Sequence, residues 1–328
     1  PHRRRRYVNI CAAPGFVRAL LFGGRISITV PGNTTRSSTV KRWLTQLAQA
    51  YQQHPLLFAG LAIACCVLSA MSMGFVLDDA YISLRYAQNL VAGHGLVYNP
   101  GEPVEGYTNF LWTLWLAVPH LLNWDVVAFM HATTLSLFTL TLGITYTLSY
   151  TLIKSHTAAL LTMGLLGLNH TFRMFGTTGM ETPLQALLVT TSALLVMQGW
   201  QHQHWTLQRC LWLSLLFTAA ILTRLDTALL VGVFGLATLV GLLSQRKHTQ
   251  RTWRKVALLV LPGALILGAW LLWKLSFYGD ILPNTFYAKA VGDRVTLMQG
   301  GLDLLLGFVR SYLLWLLLPL VALAVMRK

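Results

Sequence analysis

The chain has 328 residues, of which 55% are hydrophobic and 11% are charged, and its formal charge is +15. A soluble domain carries about 25% charged residues, so this much apolar surface exceeds what an ordinary globular core absorbs. The basic excess does not indicate a nucleic-acid partner. Nine of the 25 basic residues lie in the first 42 positions and five more in Arg246–Lys255. Basic blocks beside apolar runs mark cytoplasmic loops rather than a nucleic-acid footprint.

Residues 1–54 read as a basic cytoplasmic extension, partly disordered, with no apolar region of signal-peptide length after the arginines. Within it, 41–53 (KRWLTQLAQAYQQ) has the pattern of a short amphipathic helix on a membrane surface. Residues 55–77, 126–153, 182–208 and 256–273 carry no charge. At about 1.5 Å per residue each approaches or crosses a ~30 Å hydrocarbon layer. Only a helix satisfies its own backbone there without closing into a barrel. Spans are expected near 55–76, 108–122, 126–153, 157–170, 183–199, 210–224, 227–244, 256–277 and 304–325. The predicted fold class is therefore all-α: a polytopic transmembrane helical bundle over 55–328. Cys11, Cys65, Cys66 and Cys210 have neither disulfide nor zinc spacing and read as small apolar packing residues.

With the basic N-terminus and the 246–255 loop inside, the first span delivers Asp78 and Asp79 to the outer face. Gly179–Pro183, Thr223–Asp226 and 278–302 then also lie outside. An even number of crossings must separate Asp79 from Gly179, yet three apolar segments lie between them. The shortest, 157–170, is the expected half-span. Of the ten carboxylates, all except Asp125 fall on or near the outer side in this arrangement. The positive-inside rule does not force such clustering, so a polar site at the outer boundary is expected.

Asp78 and Asp79 open DDAYISLRYAQNLVAGHGLVYNPGEPVEGYTNF. Tyr81, Ile82, Arg85, Tyr86, Asn89 and Leu90 recur at helical spacing, which predicts an interfacial helix ending at Gly93 or Gly95. Asp78 can simply cap that helix; alternatively one carboxylate is a general base and the other shapes its field. Glu181, in TTGMETPLQ, suits the first turn of a helix beside Pro183, or lines a functional cavity, since ionisable groups at membrane depth are costly. Arg224 and Asp226, in LTRLDT, form either a mutual ion pair or a phosphate-binding site. Asn284, Tyr287 and Lys289, in YGDILPNTFYAKA, are either a solvated loop or contacts to an anionic headgroup. Arg85 and Arg173 are further cationic candidates. The histidines lack ligand spacing, and no metal site is assigned.

The long first motif, with TTGMETPL, LTRLD and PNTFYAKA downstream, resembles the mycobacterial terminal arabinofuranosyltransferase family, within the C-type superfamily of membrane glycosyltransferases. The resemblance covers about residues 55–300. It implies a polyprenyl-phosphate sugar as donor substrate, a glycan or lipid acceptor, a bilayer setting in a bacterial inner membrane and a periplasmic active site. It places the catalytic base at Asp78 or Asp79, with Asp78 put first. Arg85, Glu181, Arg224, Asp226, Asn284, Tyr287 and Lys289 become substrate-binding residues. Asp79 and Glu181 would orient the acceptor, a divalent cation being the lesser role. Family members are usually longer, so a truncated C-terminus is expected. A non-catalytic scaffold would tolerate loss of both aspartates. A transporter would show inverted repeats or paired broken helices, and neither is read here.

Overall fold

The computed structural model describes residues 35–244, 250–289 and 294–311. The N-terminal 34 residues and the second half of the expected span 304–325 lie outside that set. The described elements are helices and connecting segments: α1 Thr35–Gln53, α2 Pro55–Met71, α3 Asp78–Val91, α4 Phe110–Leu122, α5 Val126–Ile153, α6 His156–Gly167 and α7 His170–Phe175. They continue with α8 Thr182–His202, α9 Leu207–Thr223, a 3-10 turn Leu225–Thr227, α10 Ala228–Leu243, α11 Gln250–Tyr278, α12 Asn284–Lys289 and α13 Arg294–Ser311. Among the described residues, Val126–Ile153, Leu225–Leu243 and Gln250–Tyr278 are long and apolar enough to cross a bilayer. Large side chains such as Leu229, Leu265 and Leu272 lie exposed along α10 and α11, the surface expected of helices solvated by lipid. This is an all-α helical membrane protein.

Local chemistry sets the helix starts. Asp125 accepts from Ala128 N (2.7 Å), Ser155 from Ala158 N (3.3 Å), Asn169 from Phe172 N (3.0 Å) and Thr206 from Arg209 N (3.0 Å). α5 and α8 end on left-handed residues, Lys154 and Gln203. α1 meets α2 at a bend of 102°, so the amphipathic segment turns across one end of the bundle.

Tertiary pairings assign each connection to an end. At the far end, Tyr51 Oη of α1 donates to Thr157 Oγ1 of α6 (3.3 Å), and Gln201 Nε2 of α8 donates to Thr151 O of α5 (2.9 Å). At the near end, Leu77 N, just before α3, donates to Thr178 O (3.1 Å), and Trp112 Nε1 of α4 donates to Gly179 O (3.1 Å). Gly179 lies directly against Met130 of α5. Thus α5 runs from the near end to the far end, and α6 with α7 returns.

The half-length piece was expected at 157–170, where α6 has 12 residues, and α4 is a second short apolar helix. It has 13 residues, about 20 Å of helix. It forms an antiparallel hairpin with α5, with Trp115 Nε1 on Thr133 Oγ1 (3.3 Å) and Trp124 against Phe129. Both α4 and the start of α5 therefore belong to the near end. Asp125 caps the start of α5 at that end.

Four apolar clusters form among the described residues, three of them between the helices of the bundle and the fourth, of Tyr86, Leu96 and Tyr107, beneath the loop after α3. Cys66, Phe138, Leu142 and Met163 join α2, α5 and α6. Ala80, Leu84, Trp112, Leu116 and Met130 join α3, α4 and α5. Trp205, Leu213, Phe217, Leu242 and Leu259 join α9, α10 and α11. The second cluster fixes α3 over the near end and so orients the two aspartates.

Candidate active site

Asp78 and Asp79 occupy the first turn of α3, where carboxylates suit the helix dipole. Both are exposed, and the Asp78 side chain accepts from Asp79 N (3.0 Å). Their directions differ. At about 100° per residue, Asp78 shares the exposed stripe of Tyr81, Arg85 and Gln88. Asp79 lies about 20° from Tyr86 and about 40° from Ser83 around the helix, and both of those residues are buried. Two built features lie along the buried face of α3 beyond Asp79.

The first is a buried polar chain. Ser83 Oγ and Thr113 Oγ1 donate to Asn109 Oδ1 (3.1 and 3.0 Å), and Asn109 Nδ2 donates to Glu181 Oε2 (2.8 Å). The other Glu181 oxygen accepts from Arg224 Nη1 at 2.8 Å, and Glu181 is 2% exposed. Arg224 also donates Nη2 and Nε to Asp226 (2.9 and 3.2 Å), while Gln185 Nε2 bridges Asp226 and Thr227 (3.2 and 2.8 Å). A carboxylate at this depth persists because it is charge-paired and hydrogen-bonded on both oxygens. Gly179 makes the approach possible. Its φ is +83°, and a Cβ there would sit 2.5 Å from Met130.

The second feature is the segment between α3 and α4. Tyr86 Oη donates to Val104 O (2.7 Å) and accepts from Gly106 N (2.8 Å). A Cβ on Gly106 would meet that oxygen at 2.9 Å. Asn89 Nδ2 donates to Val97 O and Tyr98 O (both 2.8 Å). Glu105 is clamped to Lys274 of α11 at 2.7 Å, with side-chain exposures of 6% and 1%, and its carbonyl accepts from Asn284 N (2.9 Å). Burial holds the Glu105 carboxyl above its ordinary value, with Lys274 pulling the other way. Burial also pushes the Tyr86 and Tyr107 hydroxyls upward, so both stay protonated.

The structure brings Glu181, Arg224 and Asp226 into one cluster, while Asp79 stands exposed about one turn before Ser83 on α3. It treats the other expected binding residues differently. Arg85 donates to Tyr98 O (3.2 Å) and Gln88 (3.2 Å), holding the loop. Tyr287 donates to Asp280 (2.9 Å) within its own segment. Asn284 contributes its backbone N–H to Glu105. The Lys289 side chain lies outside the described residues. Ser83, Asn109, Thr113, Gln185, Glu105 and Lys274 were not read from the sequence. Only Lys274 carried a signal, a lone ammonium closing an apolar run. Arg173 of α7 donates to Ser69 of α2, keeps a buried Nε without an acceptor, and forms no ion pair among the described residues. A divalent cation does not fit Glu181, whose oxygens are both taken, and no group of three His, Cys, Asp or Glu is assembled among the described residues.

These helices and this carboxylate-rich end define a polytopic membrane protein with a polar site at one end. The chain is similar to the terminal beta-(1->2)-arabinofuranosyltransferase of Mycobacterium tuberculosis, with 31% identity over 266 residues covering 75% of this chain and 39% of that protein. It is 26% identical over 270 residues to the protein of the same name in Corynebacterium glutamicum, covering 74% of this chain and 37% of that protein. The chain thus spans about two-fifths of the length of these curated relatives, and the resemblance read from its motifs holds. No family model matches the chain, and no solved structure matches it.

Proposed function

We propose that the protein is a membrane glycosyltransferase that moves a sugar, with inversion, from a polyprenyl-phosphate donor to a glycan or lipid acceptor of the cell envelope. The observation that carries this reading is the buried Ser83–Asn109–Glu181–Arg224 chain, which begins one helical turn beyond the exposed Asp79 on α3. An acidic side chain beside such a fixed polar chain can take the proton of an attacking hydroxyl.

Asp79 is the general base in this scheme, in preference to Asp78, which faces the exposed stripe. The acceptor oxygen forms its bond to the anomeric carbon as its proton passes to Asp79. The bond from that carbon to the phosphate oxygen breaks, and polyprenyl phosphate leaves with the electron pair. The arrangement parallels base-assisted inverting hydrolysis, with a sugar hydroxyl in place of water. Arg224 is already balanced by two carboxylates, so its role is to hold Glu181 and to fix the floor under α3. Arg173 has no carboxylate partner and is the better phosphate contact at this end. The far end carries Arg42, Lys154, Arg209, Arg251, Arg254 and Lys255, which supports a cytoplasmic far end and a periplasmic site in an inner membrane.

The test is release of polyprenyl phosphate by full-length protein offered a panel of lipid-phosphate sugars. Asp79→Asn should lower transfer by about 10²–10⁴-fold, the usual weight of a general base, while Asp78→Asn falls far less. Full transfer after both aspartates are neutralised would overturn the assignment of the base, and no lipid-phosphate release from any donor would leave a scaffold role instead.

A further inference from the structure

We propose that the cavity between α3 and the 98–106 loop is a carbohydrate subsite that holds the acceptor sugar next to the one attacked from. The proposal rests on the transferase reading above and concerns a part of the molecule that the base chemistry does not use.

The cavity has a volume of about 370 Å³ and is lined by Ile82 and Tyr86 of α3 and by Tyr98, Asn99, Glu102 and Gly106 of the loop. Its chemistry is selective. The Tyr98 ring is 47% exposed and offers an apolar face against which the C–H side of a sugar ring can lie. Asn99 Nδ2 donates to Glu102 Oε2 (3.0 Å). That leaves the second amide hydrogen, the amide oxygen and the other carboxylate oxygen for hydroxyl groups. No cationic side chain lines the cavity, and the carboxylate repels a phosphate. The donor headgroup is therefore disfavoured here, and a neutral polyol fits.

The wall is built before any ligand arrives. Asn89 and Arg85 hold the Tyr98 carbonyl, Tyr86 Oη ties Val104 to Gly106, and Glu102 N donates to Asn99 O (3.1 Å). Such preorganisation lowers the entropy lost when a flexible oligosaccharide docks. Position completes the argument. Ile82 lies one turn beyond Asp79 on α3, about 4.5 Å along the axis, and Tyr86 about two turns beyond it. A glycan with its penultimate ring in the cavity therefore presents its terminal ring to Asp79.

The test is direct binding of a synthetic arabinofuranosyl tetrasaccharide, donor absent, to detergent-purified full-length protein by titration calorimetry. A glucose tetrasaccharide is run in parallel. Wild type should bind one of these saturably. Tyr98→Ala and Glu102→Gln should each raise Kd at least about tenfold, the scale of one hydrogen bond to a charged group, and Tyr98→Phe should bind as wild type does. Variants that unfold are recognised by their melting temperatures, and Asn99→Ala then replaces them. Equal affinity in wild type, Tyr98→Ala and Glu102→Gln overturns the proposal, as does absence of any saturable binding. Binding that depends on these residues, in a protein that releases no lipid phosphate from any donor, supports the subsite and overturns the transferase reading instead.

Discussion

Replacing Glu105 by Gln puts the clamp between the outer segment and α11 to a quantitative test. Glu105 and Lys274 meet at 2.7 Å with almost no exposure. Losing the carboxylate leaves an ammonium buried beside Trp270, 5.1 Å from that ring's centre. Breaking one side of a buried pair costs about 3–5 kcal/mol, whereas replacing both sides with groups of similar size is often neutral. With an unfolding entropy of about 2.1 cal/mol/K per residue, 328 residues give about 0.7 kcal/mol/K, so the single variant should lose about 4–7 °C in melting temperature. Lys274→Met should lose a similar amount, and the double variant should recover most of it. Tryptophan fluorescence in detergent suits the measurement, since Trp270 and Trp273 flank the site. A double variant as unstable as the sum of the singles, or singles that melt within 1 °C of wild type, would show that the pair does not act as a clamp.

Asn109→Ala leaves Glu181, Ser83 and Thr113 short of a partner and should cost about 1–3 kcal/mol, read as a lower melting temperature with transfer reduced further. Gly179→Ala forces a side chain into a positive-φ position against Met130 and should cost roughly 1–3 kcal/mol, with Ser at the same place faring no better. Arg224→Lys should not restore the Glu181–Asp226 bridge, because an ammonium cannot serve both carboxylates with the planar guanidinium geometry; thermal melting compared with Arg224→Met checks this.

Helix positions were legible because charge-free runs bounded by Asp125, Ser155 and Thr206 announce themselves. The path of the chain was not. FLWTLWLAVPHLL has the hydropathy of a spanning helix, and only Trp112 on Gly179 and Trp115 on Thr133 reveal that it folds back along α5. Glu181, Arg224 and Asp226 were legible as costly charges in an apolar chain, and the structure joins them. Asn109 and Ser83 were not, since nothing in their type or spacing distinguishes them from other polar residues before tertiary contact. Asp78 and Asp79 share residue type and exposure, so neither spacing nor burial separates them.

Glu181 lies below the rim of the bundle, because the strand of residues leading to it packs against Met130, about one turn inside the start of α5. Mobile counterions approach exposed charges but not a carboxylate with 2% exposure. Ionic strength should therefore divide the near end in two. Added salt will weaken whatever Asp78, Arg85 and Glu102 contribute at the surface, while the Glu181–Arg224 contact, whose carboxylate is buried and whose guanidinium is 35% exposed, should weaken less.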